Sequence, residues 1–403
     1  MFRNEAGRVI ASLIRVTGDL GAAEELAQDA LLSALEKWPE TGVPDNPGAW
    51  LVATAKNRAL DQMRRRHMMA RKSDEIREQM ATAVDGASLE EAMDDEVGDD
   101  LLRLVFIACH PILSMDARVA LTLRVLCGLS TEEIARAFLS TNATIAQRIV
   151  RAKRTLSEAN VPFELPRGEA LIARTAAVLR VIYLVFNEGY SATTGDDVLR
   201  VELCDMARRL GGTVLSLLPD EPEVYGLVAL MEIQSSRSAA RVDSEGNPVL
   251  LLNQDRSLWD RQAIARGMAA LMRAHLLRGR GPYVLQAEIA ACHGRAQTPQ
   301  ETDWVRLASL YAELARLTPS PVIELNRALA VSMAEGPEAG LSILEPLRHE
   351  PALKSYHLLP AARGDMLLRL GRTAEAKAEF KRAAELASHE KDRQLLLARV
   401  AEC

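Results

Sequence analysis

Apolar residues recur at three- and four-residue spacing along nearly the whole chain, and strand-like alternation is almost absent, which predicts an all-α protein. From Gly21 to Trp38 the pattern sets Leu26, Ala30, Leu31 and Leu35 on one face, with Pro39 as the stop. Turn formers crowd the next stretch, including Pro39, Gly42, Pro44, Asn46, Pro47 and Gly48, and a second helix is predicted from about Ala49 to Arg66. Residues 71–100 are acidic and poor in large apolar side chains, the composition of a linker. Helical patterning resumes at Leu101. Gly128-Leu129-Ser130 then precedes a helix from Thr131 to about Phe138, a short turn, and a helix from about Ala143 to Leu156. Ser130 or Thr131 with Glu133 is a helix-start signal. A short helix, a tight turn and a basic helix form the helix-turn-helix pattern.

Pro162 and Pro166 mark a boundary, and everything after about Leu165 reads as a separate, larger helical region. Its late part repeats itself, the mark of stacked helical hairpins. In the clearest unit, Ala361 to Leu386, the residues Gly364, Leu367, Gly371, Ala376, Phe380 and Ala383 suit close packing of two helices. A second unit, 322–347, sets Ala339 and Ile343 in similar places, and helix ends recur at Pro319 and Pro351. One stretch breaks the pattern: Arg241 to Leu252 reads as a turn with a short hairpin or extended arm. The expected layout is two small helical domains at 1–70 and 101–160 with the linker between them, a helical domain at 165–300, and repeats at 301–403.

Composition adds limits. With 48% hydrophobic and 26% charged residues the chain is an ordinary globular one. Its longest apolar runs, Leu104 to Ala108 and Val181 to Phe186, are too short to cross a bilayer, and the first residues lack a secretory signal, so a cytoplasmic location is expected. Cys109, Cys127, Cys204, Cys292 and Cys403 are far apart and form no C-x-x-C pair, which predicts reduced packing residues, no metal site and no cofactor. The net charge of −6 argues against nucleic-acid binding until it is divided: residues 1–70 are neutral, 71–100 carry −8, and 101–160 carry +4. A basic block behind an acidic linker points to a nucleic-acid partner.

The second helix of the helix-turn-helix carries that chemistry. Ile134, Ala135, Phe138, Ile145, Ile149 and Ala152 supply a shared apolar face, which leaves Thr144, Gln147, Arg148, Arg151 and Arg154 on the open side, with Lys153 beside them. Gln and Arg read base edges bidentately while other cations hold phosphates. A solvated basic helix has the same pattern on charge alone. A second constellation runs from Asn46 to Arg66, where Asn57, Asp61 and Arg65 form a polar stripe at four-residue spacing and Arg64, Arg65 and Arg66 end the helix. Cations at a helix C-terminus also have a plain role in offsetting the macrodipole.

On these residues the chain resembles the extracytoplasmic-function sigma factors, the smallest class of bacterial RNA polymerase initiation factors. Gly18-Asp19 with Ala22 to Leu35, then Asn46 to Arg66, is similar to their first conserved domain, and Gly128 to Leu156 to their second. The resemblance implies two partners, core RNA polymerase and promoter DNA. It sets Glu25, Leu26, Asp29, Ala30 and Leu32 where the family docks on the polymerase clamp, with plain helix packing as the other reading of Leu26 and Ala30. It sets Thr41 to Asn46, with Asn57, where an extruded base is captured. Arg64, Arg65 and Arg66 fall on the surface facing promoter phosphates, and the helix bearing Thr144, Gln147, Arg148, Arg151, Lys153 and Arg154 falls where the upstream element is read. This chain departs from the family at Leu139, where the turn usually has Gly, and at Ala143 and Ala146, where Gly and Lys are frequent. The remaining residues resemble a C-terminal extension with Asn187-Glu188-Gly189-Tyr190, Gln254-Asp255-Arg256 and tetratricopeptide-like repeats, which is expected to contact the sigma domains within the same chain. Asn187, Glu188, Asp243, Asp255, Arg256 and Asp260 either line a ligand site or cap helices and loops. The sequence has no phosphate-binding loop, zinc-protease or hydrolase motif, so no enzyme is expected. Two alternatives stay open at this point: a ligand-sensing helix-turn-helix regulator, and an enzyme fused to a DNA-binding module.

Overall fold

A computed structural model describes residues 2–58, 93–138, 140–190, 201–243, 249–387 and 390–403. Among them helices dominate and no strand longer than a single bridging residue occurs. The chain divides into two compact units, Met1–Leu184 and Val185–Cys403. The division falls inside a continuous helix, Glu169–Tyr190, and so later than Pro162 and Pro166 suggest.

In the first unit, α1 (Phe2–Thr17) buries Val9, Ile10, Leu13 and Ile14 against α2 (Leu20–Thr41) and α4 (Met93–Ala108). The inner face of α2 is made of small residues, Ala23, Ala27, Ala30 and Ala34, with Leu26, so the helices approach closely. Asp19 opens α2, its carboxylate accepting from the Ala22 N–H at 2.8 Å. Pro39 does not end α2. The helix runs on to Thr41 because a proline near an exposed C-terminus forfeits little, and Gly42, at φ +83°, closes it by donating to the Trp38 carbonyl at 3.0 Å. The inner face also differs from the expected one, since Leu35 points to solvent. Helix α3, described over 47–58, starts earlier than expected: Pro47 is its first residue and Asn46 its cap. An edge-to-face pair of Trp38 and Trp50, centroids 5.4 Å apart, pins the end of α2 to the start of α3. Helix α4 begins within the stretch read as linker and buries Asp100, which Arg103 meets at 2.7 Å.

Four helices complete this unit: α5 (Met115–Val125), α6 (Thr131–Ala137), α7 (Asn142–Glu158) and the first part of α8 (Glu169–Tyr190). The start signal of α6 is realised as a reciprocal capping box. The Ser130 N–H donates to Glu133 Oε2 at 2.9 Å and the Glu133 N–H to Ser130 Oγ at 3.1 Å. The Ser140 N–H reaches back to the Ala135 carbonyl at 2.8 Å to close α6, and Thr141 caps α7 through the Thr144 N–H.

The second unit is built on α10 (Pro222–Ser235), which buries Val224, Leu227, Ala229, Leu230, Met231 and Ile233 and packs on α9 (Val201–Leu217), α11 (Arg261–Leu276) and α12 (Pro282–Arg295). Helix α12 lacks a cap of its own. Glu223, from α10, supplies it by accepting from the Tyr283 and Val284 N–H groups at 2.8 and 3.3 Å, and burial holds its carboxyl above the usual range. Arg241 to Leu252 is no extended arm over its described residues: the Val249 N–H donates to the Arg241 carbonyl at 2.8 Å and a 3-10 turn follows at Leu251–Asn253. Asp255 and Asp260 are caps, the first for the turn Arg256–Leu258 and the second for α11.

Beyond α12, helices α13 (Trp304–Leu317), α14 (Pro321–Ala334), α15 (Pro337–Leu347), α16 (Leu358–Arg369), α17 (Thr373–Leu386) and α18 (Glu390–Glu402) each pack on the next. Three apolar clusters follow one another along them, centred on Leu307 and Leu310, on Leu344 and Met366, and on Leu367 and Phe380. Such a relay of local cores is the energetic pattern of stacked hairpins. Gly364 lies against the Phe380 ring, where an added Cβ would sit 2.8 Å from Cε1. In the earlier hairpin the inward positions are Gly340 and Leu344, one residue on from Ala339 and Ile343. An added Cβ at Gly340 would meet the Ala328 carbonyl at 2.8 Å, which explains the choice.

One buried group gives the second unit a pH dependence. Burial, with the Arg237 and Arg256 guanidiniums nearby, pushes the His293 imidazole down to about 3. The unfolded chain takes up this proton near the ordinary value of about 6.5, so between these limits the unfolded state binds more protons and stability falls as pH falls. Below pH 6 the loss is expected at about 1.4 kcal/mol per pH unit from this group. Urea unfolding at pH 7 and pH 5 should therefore show a steeper loss for the native chain than for His293→Gln, and equal losses would contradict it.

Candidate nucleic-acid interface

Burial of the alanine face of α2 leaves Glu25, Asp29 and Leu32 in one exposed stripe, at spacings of four and three residues, with Leu32 57% open to solvent. Leu26 is not part of it: it is buried in the helix packing. Asp29 meets Arg58 of α3 at 3.7 Å, and Arg58 also donates to Ser33.

On α3, Leu51, Val52 and Ala55 face inward and Asn57 faces solvent. Asn46 is exposed, but its side-chain carbonyl accepts from the Ala49 N–H at 3.0 Å, so it is first of all the helix cap. Asp61, Arg64, Arg65 and Arg66 lie outside the described residues.

The helix-turn-helix buries Ile134, Ala135, Ile145, Ile149, Ala152 and Leu156, and Phe138 is half-buried. Thr144, Gln147, Arg151 and Arg154 are left exposed on α7. Arg148 is half-buried and reaches Asp116 at 3.2 Å, a pair whose acid is open to water and which therefore adds little. Thr144, Gln147, Arg148 and Arg151 line one open groove with Ser114 and Asp116 from the start of α5. The Thr144 hydroxyl is 2.8 Å from that of Thr141. Lys153 stands apart from the other cations of the helix. It is turned inward and ion-paired with Glu24 of α2, whose other oxygen takes Arg124 Nε at 2.6 Å. Glu24 is only 4% exposed, so α2, α5 and α7 are tied at one buried carboxylate.

Comparison with known proteins adds to this geometry. Residues 1–68 match the family model for sigma-70 region 2 and residues 103–156 that for sigma-70 region 4, while 174–275 match a family of unknown function, DUF6596. An uncharacterized protein of Rhizobium meliloti, R00370, is 43% identical over 95% of this chain and 90% of its own length. The ECF RNA polymerase sigma factor SigL of Mycobacterium tuberculosis is 30% identical over 36% of this chain and 77% of its own length. The chain belongs to the ECF RNA polymerase sigma factors. The probable ECF sigma factor SigI of the same organism is 29% identical over 36% of this chain and 50% of its own length.

This sigma factor accordingly serves promoter-specific transcription initiation, with RNA polymerase core and promoter DNA as its partners. Its helix-turn-helix lies within the region 4 match, and α1 to α3 lie within the region 2 match. The matches to SigL and SigI span about a third of the chain, whereas that to R00370 takes in the extension as well. Among the described residues no helix is long and apolar enough to cross a membrane, and no group of three metal-ligating side chains is gathered. Sequence reasoning missed Glu24. Its signal was present, because Glu24 stands four residues after Leu20 and three before Ala27, an acid inside the apolar stripe of the helix.

Proposed function

We propose that the exposed stripe of Glu25, Asp29 and Leu32 docks on the core polymerase, and that the loop ending at Asn46, with Asn57, faces the separated promoter strand together with Asp61, Arg64, Arg65 and Arg66. Helix α7 reads the upstream element through Gln147, Arg148 and Arg151, with Thr144 and Arg154 on flanking backbone. The observation that carries the reading is the groove beside α7, where polar and cationic side chains gather on the side that core packing leaves open. Lys153 belongs to the Glu24 junction instead of the phosphate contacts. The chain contributes binding energy for opening DNA and performs no catalysis of its own, the chemistry being that of the polymerase, and it works in the cytoplasm. The test is run-off transcription with purified core polymerase and a promoter library. Arg148→Ala should relax sequence preference at the upstream element at a cost of about 1–3 kcal/mol, as loss of a bidentate base contact does. The same preference in both proteins would rule out base reading by Arg148.

A further inference from the structure

Several arginines of the second unit are paired with acids. Arg208 and Arg266 share Glu232 at 2.8 and 2.9 Å, Arg280 and Arg306 share Glu288 at 3.2 and 2.5 Å, and Arg363 lies between Glu345 and Glu379 at 2.7 and 3.0 Å. One cluster is set among aromatic rings. The Arg237 guanidinium, just past the end of α10, lies 5.8 Å from the ring centres of both Tyr190 and Trp259. Arg241 lies over the Tyr190 ring at 3.9 Å, and Arg256 lies over Trp259 at 5.0 Å. Arg256 is 4% exposed, and it donates to neutral groups: the carbonyls of His293 and Ala296 at 3.2 and 2.9 Å and the Thr302 hydroxyl at 3.2 Å. Among the described residues no carboxylate lies within ion-pair distance of Arg237 or Arg256.

A buried guanidinium such as that of Arg256, with Glu301 acting on it only from beyond ion-pair distance, is costly in a folded interior and calls for a counter-ion. Burial first, and then the charges of Arg237 and Arg256, hold the His293 imidazole well below its usual range. Polar atoms are also left over. Arg237 Nε, Arg256 Nε, Trp259 Nε1, Tyr190 Oη, Gln254 Oε1 and His293 Nδ1 are buried without a hydrogen-bond partner. Four of the six residues, Tyr190, Gln254, Arg256 and Trp259, are more than nine-tenths buried and belong to the stretch matched by DUF6596, as does Arg237. The guanidinium fork pairs bidentately with carboxylate or phosphate, and the aromatic rings hold it in plane. The unused Tyr190 Oη, on the ring that Arg237 and Arg241 approach, suits a hydroxyl beside the anion.

We infer that the Arg237–Arg256 cluster is a binding site for a small hydroxylated oxyanion, a carboxylate or a phosphate ester, which makes the extension of this sigma factor a ligand-binding domain. The inference does not depend on how the sigma domains meet polymerase or DNA. It is tested on the full chain by thermal unfolding and calorimetric titration with lactate as the carboxylate and glycerol 3-phosphate as the phosphate, against sodium chloride at matched ionic strength. One of the two probes is expected to bind saturably at one site and raise the unfolding temperature, and which one does so identifies the anion class. Arg237→Gln should weaken that binding at least roughly tenfold while leaving the unliganded chain as stable as before or more so, since it removes one of the repelling charges. A purely structural arginine would show the reverse, a lower unfolding temperature and no response to either probe. If Arg237→Gln fails to fold, Arg237→Lys keeps the charge and loses the fork, and weaker binding is again expected. No saturable binding of either probe to the native chain, or equal binding to the variants, overturns the inference.

Discussion

Reversing two charges on α2, by Glu25→Lys with Asp29→Lys, is expected to abolish run-off transcription while leaving the thermal transition of the chain nearly unmoved. Both side chains are on the open face of the helix, and Asp29 meets Arg58 at 3.7 Å across an exposed pair. Exposed pairs of this kind contribute little, and surface substitutions away from caps and cores stay within about 0.5 kcal/mol. At an interface the balance differs. Removing one partner of a desolvated charge pair costs about 2–5 kcal/mol, and reversal adds repulsion, so a pair of reversals implies at least a roughly thousandfold weaker complex. Anisotropy of the labelled chain titrated with core polymerase measures this directly. Unaltered affinity in a variant that folds would remove the stripe from the docking surface.

Glu24→Ala is the largest stability change expected in the first unit. The carboxylate is buried and answers two cations on two other helices, Arg124 at 2.6 Å and Lys153. Its loss leaves both cations half-buried and facing each other, and breaking a buried pair from one side costs about 3–5 kcal/mol. Glu24→Gln keeps a hydrogen-bond acceptor for Arg124 and should cost less. Removing one of the two stranded cations as well, with Glu24→Leu and Lys153→Met, should recover part of the loss, with Arg124 left as the remaining unpaired charge. Urea unfolding monitored by circular dichroism separates these outcomes. A loss below about 1 kcal/mol for Glu24→Ala would mean that the three helices do not share this carboxylate in solution.

What was legible in the sequence was local. The capping box at Ser130 and Glu133, the caps at Asp255 and Asp260, and the inward set Ile134, Ile145, Ile149 and Ala152 all depend on residues a few positions apart, so spacing alone reveals them. Contacts across long separations were not legible. Leu35 reads as core because it is apolar, yet small residues suffice on its helix and the leucine turns outward. Gly340 is an inward position of α15, and what dictates it is the approach of Ala328, Ser332 and Met366 from neighbouring helices. Lys153 looks like one more cation of a basic helix until Glu24, more than a hundred residues earlier, takes it. The arginine cluster draws on Tyr190, Arg237, Arg256 and His293, which no periodicity joins.

The cysteines have a practical consequence. None of the five is in a disulfide. Cys109, Cys204 and Cys292 are buried, and desolvation pushes the first two thiols up to about 11 and about 12 and the third up as well, so they stay protonated and slow to alkylate. Cys127 and Cys403 are half-open to solvent, one in each compact unit. Maleimide dyes should therefore find a natural attachment point in each unit, and the wild-type chain can carry a fluorescent pair into a transcription assay without an engineered cysteine.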